Sequence, residues 1–321
     1  MIYLAPMQGL TEITFRKAYY KVFGLSGIDM AISPFISLTH GTLANAYKKI
    51  KDVLPEYNAQ SLPLIPQILG NEIPQFIEMA NRLGEIGYDE VNWNMGCPVT
   101  KVAHKKRGSG LLPYPDMVDN ILSKVLPNVS TRISLKIRLG YYSPDEVFNL
   151  VSVFNRYPLA SVVIHPRIGL QMYEGDLFLD VFAKAIADIK HKIIFNGDIF
   201  SVADYAEIQR LFPNMSDVMI GRGAVLNPLL PLEIKGQTVC NYNKSYVEFV
   251  NTLFDEINAR NVPEISKLRK TKEYWQYFAQ NFDLSDEDRR GVLLMTDLYD
   301  MQRVIVEIVS KADRLCMPNC R

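Results

Sequence analysis

Seven short apolar runs in this chain end in polar residues whose types could do chemistry together. Pro6-Met7-Gln8 closes the first, and Gln67 stands at the end of another. Asn94-Met95-Gly96-Cys97-Pro98 follows a third, and Lys136 and Arg138 belong to a fourth. His165 and Arg167, Asn196-Gly197-Asp198, and Gly221-Arg222-Gly223 close the last three. A single histidine is ordinarily satisfied inside a core, and a single lysine is readily salt-bridged there. Glutamine, asparagine, lysine and histidine at successive strand ends need a shared purpose. Glycines with backbone N–H groups beside an arginine fork suit a phosphate, although glycines also serve tight turns. Cys97, between Gly96 and Pro98, sits on bent backbone that could expose a thiol, and a buried structural cysteine is the alternative.

Elements must exist to bring these residues together. Eight apolar runs recur, at 2–6, 28–33, 62–68, 89–94, 132–138, 160–165, 192–196 and 216–221. Most lack polar alternation, as strands buried on both faces do. Helical periodicity fills the gaps between them. It predicts helices over 74–83, over 144–154 with Ser143 as cap and Pro144 in the first turn, and over 202–211 with Ser201 as cap. Eight strand–helix alternations predict an α/β fold, a TIM (β/α)8 barrel over 1–235, whose chemistry gathers at the C-terminal strand ends. An open doubly wound sheet is the alternative, but no GxGxxG follows the first strand. Beyond 235 the strand signal stops. Helices are expected over 246–259, 267–282 and, broken, 289–315, which makes 240–321 an all-helical domain.

In such a barrel the loops after strands seven and eight hold phosphate, belonging to FMN or to a sugar-phosphate substrate. Lys136 favours the flavin, because a cation at its N1–C2=O edge stabilises the charge that builds there on reduction. Gln67 and Asn94 could hydrogen-bond a flavin or a uracil edge, and Cys97 could supply a proton. The 35 Lys plus Arg balance 35 Asp plus Glu, so a nucleic-acid partner would have to meet a local basic face. Four cysteines, Cys97, Cys240, Cys316 and Cys320, at irregular spacing argue against a disulfide framework or a metal site and for a reduced, cytoplasmic protein. There is neither a signal-peptide pattern nor an apolar run of membrane-spanning length.

These motifs, in series, resemble the bacterial tRNA-dihydrouridine synthases. The resemblance rests on Ala5-Pro6-Met7-Gln8-Gly9-Leu10-Thr11, Asn94-Met95-Gly96-Cys97-Pro98, Gly108-Ser109-Gly110-Leu111-Leu112, Lys136-Ile137-Arg138-Leu139-Gly140, His165-Pro166-Arg167, Asn196-Gly197-Asp198-Ile199 and Met219-Ile220-Gly221-Arg222-Gly223-Ala224. It implies an FMN enzyme, reduced by NADPH, that converts uridine to dihydrouridine in tRNA, with ribosomal RNA as the alternative substrate. Cys97 would be the general acid. Pro6, Met7, Gln8, Gln67, Lys136, His165, Asn196, Gly197, Asp198, Gly221 and Arg222 would hold FMN. Asn94, Arg167, Tyr173, Lys270 and Lys272 would face the RNA. A monomer without metal or membrane is expected. Glu12, Ser33-Pro34, Pro166 and Ile168 depart from the family pattern and bear on which uridine is chosen. The rival readings are an FMN barrel acting on a free pyrimidine and a non-catalytic RNA-binding barrel.

Overall fold

In the computed structural model, residues 1–38 and 50–311 are described. Parallel strands are β1 (Ile2–Leu4), β2 (Met30–Ile32), β3 (Ile36–Ser37), β4 (Leu64–Ile65), β5 (Gln67–Leu69), β6 (Glu90–Met95), β7 (Arg132–Gly140), β8 (Val162–Ile168), β9 (Ile193–Asn196) and β10 (Val218–Ile220). Their order is β3-β5-β6-β7-β8-β9-β10-β1-β2-β4. Pro66 divides β4 from β5, and Ser33-Pro34-Phe35 divides β2 from β3. A proline lacks the N–H that a ladder needs, so each of these barrel strands reads as two pieces. β2 pairs with β4 and β3 with β5, so the ring closes as eight strands. The eight apolar runs correspond to these eight strands.

Register explains why the polar residues meet. Tyr3 lies beside Met219, and Val163 beside Ile194. With Ala5 and Ile32 these residues form a small apolar cluster separate from the main core. Side chains two apart share a strand face. His165, Asn196 and Gly221 therefore stand directly above Val163, Ile194 and Met219. The apolar cluster is the floor, and the polar strand ends are the wall above it.

The helices follow their signals with differences at their bounds, and those expected over 267–282 and from 289 run over Glu264–Phe278 and from Asp286. The helix expected from Pro144 begins at Glu146, and Ser143 does not cap it. The Glu146 carboxylate instead accepts from the backbone N–H groups of Tyr141, Tyr142 and Ser143, at 2.7, 3.0 and 3.2 Å. That folds 143–145 into a turn. The helix Val202–Leu211 is capped by Ser201, whose Oγ accepts from the Asp204 N–H. In the tail, helices run over Tyr242–Asn258, Glu264–Phe278, Asp286–Leu294 and Leu298–Lys311. The first starts four residues earlier than expected, because Asn241 caps it through the Lys244 N–H. The expected continuation to Leu315, with Cys316 and Cys320, lies outside the described residues. Phe249 packs its ring against Phe15, Tyr19 and Phe23 of the helix Ile13–Phe23, at 5.4, 6.4 and 5.9 Å. One hydrophobic core thus runs from the barrel's outer layer into the tail. No described helix is long and apolar enough to cross a membrane.

Candidate active site

The strand ends surround a cavity of about 580 Å³. Pro6, Met7, Gln8, Asn94, Cys97, Lys136, His165, Tyr173, Asn196, Gly197, Asp198, Gly221 and Arg222 all line it. The first loop is braced by Thr11, whose Oγ1 accepts from the Met7 N–H and donates to the Ala5 carbonyl, both at 2.8 Å. Gly221 leaves little room for a side chain: a Cβ there would sit 3.2 Å from Ala5 Cβ and 3.3 Å from Met7 Sδ.

Lys136 is half-buried on the cavity wall and donates from Nζ to Asn196 Oδ1 at 2.8 Å. Asn196 in turn donates to the Met219 carbonyl at 2.9 Å, which fixes its amide orientation. Burial, and then the neighbouring Arg138 charge, push the Lys136 ammonium down to about 7. His165 is held well below its usual range by burial and by the Arg138, Lys136, Arg167 and Arg222 charges. Its Nε2 lies 3.2 Å from Arg167 Nη1. Arginine can only donate, so Nε2 accepts, and the neutral ring carries its proton on Nδ1.

Asp198 joins two arginines, at 2.5 Å to Arg167 and 2.8 Å to Arg222. Burial opposes the carboxylate, but hydrogen bonding and charge from Arg167, with the Arg222 charge, hold its pKa below the usual range. Arg222 also lies between two rings, 5.5 Å from Tyr173 and 5.2 Å from Phe200. Tyr173, 54% exposed, meets Arg138 on another side at 5.4 Å. This ring spans two guanidinium groups at the mouth.

Cys97 is half-buried, and burial pushes its thiol up, against the lowering effects of the Val99 N–H and the Arg138 and Lys136 charges. Its N–H and that of Gly96 both donate to Asn94 Oδ1, at 2.9 and 3.0 Å. Its carbonyl accepts from the Ser109 N–H and Oγ, each at 3.0 Å. Gly108, at φ +55°, lies against this turn: a Cβ on it would come 2.6 Å from the Cys97 carbonyl and 2.9 Å from Cys97 Cβ.

Some expected site residues sit elsewhere. Gln67 is fully buried and outside the cavity lining. It donates to Asn92 and accepts from Asn94 Nδ2, both at 2.8 Å, and Asn92 donates onward to Ser134 at 2.9 Å. Gln67 therefore supports Asn94, which supports Cys97. Arg167, only 3% exposed, spends its donors on Asp198, His165 and the Glu174 and Gly175 carbonyls. Lys270 binds the Gly9 carbonyl and pairs with Glu273 at 2.9 Å and Glu12 at 3.6 Å. Neither Lys270 nor Lys272 lines the cavity, whereas Tyr277, further along the same helix, does. Arg138 had no assigned role. It is buried on the cavity wall and donates to the Gly96 and Ile168 carbonyls at 3.0 and 2.9 Å. Its position two residues beyond Lys136 on one strand face was the signal for it. Phe35, Phe200 and Tyr277 complete the wall without a sequence cue. No group of His, Cys, Asp and Glu that could hold a metal occurs among the described residues.

A closed (β/α)8 barrel with polar groups and glycine loops at its C-terminal mouth is the architecture of a barrel enzyme. The dihydrouridine synthase family model matches residues 3–291, and the chain belongs to that family of flavin oxidoreductases. A tRNA-dihydrouridine(16) synthase from Cupriavidus necator is 26% identical over 315 residues, covering 95% of this chain and 96% of that protein. A tRNA-dihydrouridine synthase B from Pasteurella multocida is 31% identical over 232 residues, covering 71% and 67%. Among solved structures, the old yellow enzyme from Trypanosoma cruzi superposes with a TM-score of 0.54 at 12% identity, covering 76% of this chain and 91% of that one. At that identity the likeness concerns the fold.

Proposed function

We propose that this chain reduces uridine to 5,6-dihydrouridine in tRNA, with FMN in the barrel mouth and NADPH as reductant. The observation that carries the reading is one cavity lined both by a thiol kept protonated and by a half-buried lysine held on Asn196. The cavity suits FMN in size, within the roughly 300–1,000 Å³ usual for cofactor sites. Its donor set suits it too. Lys136 would offer a cation to the flavin ring, and Arg222 beside Gly221 and Gly197 would offer one to its phosphate. Pro6, Met7, Gln8, His165, Asn196 and Asp198 complete the wall, with Gln67 in support. Bound there, FMN would supply the hydride for reduction of the uracil ring.

The chain's own residues do the rest. Cys97 holds a proton on Sγ and delivers it to uracil C5 as general acid. Asn94, through its bonds to the Gly96 and Cys97 N–H groups, keeps that thiol at the mouth. His165, neutral, offers Nδ1–H as a donor that does not titrate near pH 7. The target base leaves its stack to enter the cavity, and Tyr173 offers a ring for it to pass or stack on. Lys272 brings positive charge toward the RNA backbone, Lys270 stands beside it and pins the loop after β1 through Gly9 and Glu12, and Arg167 acts by fixing Asp198 and thereby Arg222. The protein works as a cytoplasmic monomer.

The test is the visible spectrum of the purified protein, with NADPH added anaerobically and unmodified tRNA added next. A flavin spectrum that bleaches with NADPH and returns with tRNA, but not with free uridine, supports the reading. A colourless protein that FMN cannot reconstitute sinks it. The Cys97→Ala variant should bleach normally but be reoxidised by tRNA about 10²–10⁴-fold more slowly, the loss expected for a general acid. An unchanged rate removes Cys97 from the mechanism.

A further inference from the structure

The chain's net charge is zero, but one stretch of surface is not neutral. Between Glu90 and Asp116 there is no acidic residue, while Lys101, His104, Lys105, Lys106 and Arg107 fall within that interval. Lys101, His104, Lys105 and Lys106 are all exposed. Some surface cations elsewhere have acidic partners, such as Lys21 with Glu256, Arg132 with Glu90, Arg210 with Glu207 and Lys235 with Asp29, and others, such as Lys184, Lys190 and Lys272, have none among the described residues. Among the described residues, Lys101, Lys105 and Lys106 have no acidic partner.

The segment carrying these lysines is held in shape. Asn71 donates from Nδ2 to the Lys105 and Lys106 carbonyls, both at 3.1 Å, and accepts from Arg107 Nε at 2.9 Å. Lys106 adopts φ +51°, in the left-handed region that side chains rarely occupy. Its ammonium lies 4.0 Å from the centre of the Tyr114 ring. A lysine that served only solubility would not need a clamp on its backbone.

Its place follows from the chain. The segment leaves the barrel at Cys97 and returns at Gly108, which packs on the Cys97 backbone. Lys101 is four residues from Cys97, so its Cα lies within about 14 Å of it. Lys106 is two residues from Gly108. Both ends of the basic segment are thus anchored at the turn that carries the thiol.

We propose that the segment 101–106 is a second RNA-backbone contact, carried by the barrel and set beside Cys97, that grips phosphates next to the uridine being reduced. It rests on the reading that the substrate is RNA. In this arrangement the strand is held on the barrel at the reacting nucleotide itself, independently of the helical tail. The clamp on Lys105 and Lys106 sets the direction in which the charges are presented.

The experiment uses the full chain with its flavin and an unmodified tRNA transcript, with binding read by fluorescence anisotropy between about 50 and 200 mM salt. Three variants are compared: K101E/K105E/K106E, K101A/K105A, which leaves the Lys106 backbone alone, and K184E/K190E, which reverses two exposed lysines on and after the outer helix Leu179–Asp188. Each lost phosphate contact removes about 0.7–0.9 from the slope of log K against log salt. The triple variant should lose about two to three units of slope and bind at least about tenfold more weakly. The double alanine variant should lose about 1.5 units. NADPH should bleach the flavin at the wild-type rate in all three, and K184E/K190E should bind as wild type. Wild-type affinity and slope in both loop variants overturn the proposal, as does an equal loss in K184E/K190E, which marks a general charge effect. If the triple variant fails to fold, the double alanine variant decides. A wild type that binds no RNA overturns this proposal and the RNA reading together, and is recognised by the absence of any wild-type signal.

Discussion

Replacing Gly108 by alanine tests whether the packing of 108 on 97 positions the reacting thiol. Two costs can be worked out from the structure. At φ +55° an added Cβ carries the left-handed penalty, about 1–2 kcal/mol. The same Cβ would lie 2.6 Å from the Cys97 carbonyl and 2.9 Å from Cys97 Cβ, closer than such contacts occur. Forcing a methyl group into packed space costs about 1–3 kcal/mol. The sum, about 2–5 kcal/mol, has two places to go. If the turn keeps its shape, stability falls by that amount. If the turn yields, Cys97 moves, and a displacement of about 1 Å costs about 10²-fold in rate. The assay therefore pairs chemical denaturation with stopped-flow reoxidation of the reduced flavin by tRNA. The expected result is a loss in one readout or both, with NADPH bleaching near normal. A variant with wild-type stability and wild-type reoxidation would refute the claim that Gly108 holds Cys97 in place.

Asp198→Asn should destabilise the protein by about 3–5 kcal/mol, because it leaves the buried Arg167 guanidinium without its anion. Asp198 has a lowered pKa in the fold, so its contribution is present above the unfolded value near 3.9 and lost as pH falls through the folded one. Urea midpoints from pH 5 downward should fall more steeply in wild type than in the variant, and equal slopes would count against the pairing. Lys136 behaves in the opposite sense. Its folded pKa of about 7 lies below the unfolded value near 10.4, so the unfolded chain binds more protons between these limits. Flavin-free protein should gain stability from pH 7 to 9, by up to about 1.4 kcal/mol per unit, and Lys136→Met should remove that gain. A wild-type profile as flat as the variant's would show that Lys136 is not buried as a cation at cost.

The barrel was legible because buried parallel strands announce themselves as apolar runs and their ends as polar interruptions. Eight runs became eight barrel strands even where Pro34 and Pro66 cut the ladders. What sequence could not convey was which strand-end residue touches the cavity and which supports one that does. Gln67 lies one row below the lining and acts on Asn94. Arg167 turns inward onto Asp198, because the following loop curls back and offers the Glu174 and Gly175 carbonyls. Such choices depend on long-range hydrogen bonds, and spacing along one strand is silent about them. One helix start was missed for a similar reason: Glu146 reaches back to the N–H groups of Tyr141, Tyr142 and Ser143 and folds 143–145 into a turn, with the Asp145 N–H on Ser143 Oγ, ahead of the helix.

The helical tail bears on how the rival readings can be separated. Removing it would ask whether a free pyrimidine suffices as substrate, but the packing makes that test unsound. Tyr274 donates from its hydroxyl to the Leu10 carbonyl at 2.5 Å, and Lys270 binds the Gly9 carbonyl, so the loop after β1 is pinned by the tail. Tyr277 is part of the cavity wall. Phe249 is buried against Phe15, Tyr19 and Phe23. A chain ending near residue 240 would expose those rings and free the loop that carries Met7 and Gln8. It would lose activity under either reading. Charge removal that keeps the fold is the sounder separation. Lys272 is partly exposed and has no partner among the described residues, and its loss should weaken tRNA binding while leaving the bleaching by NADPH untouched. An enzyme for a free pyrimidine would show no change in either measurement.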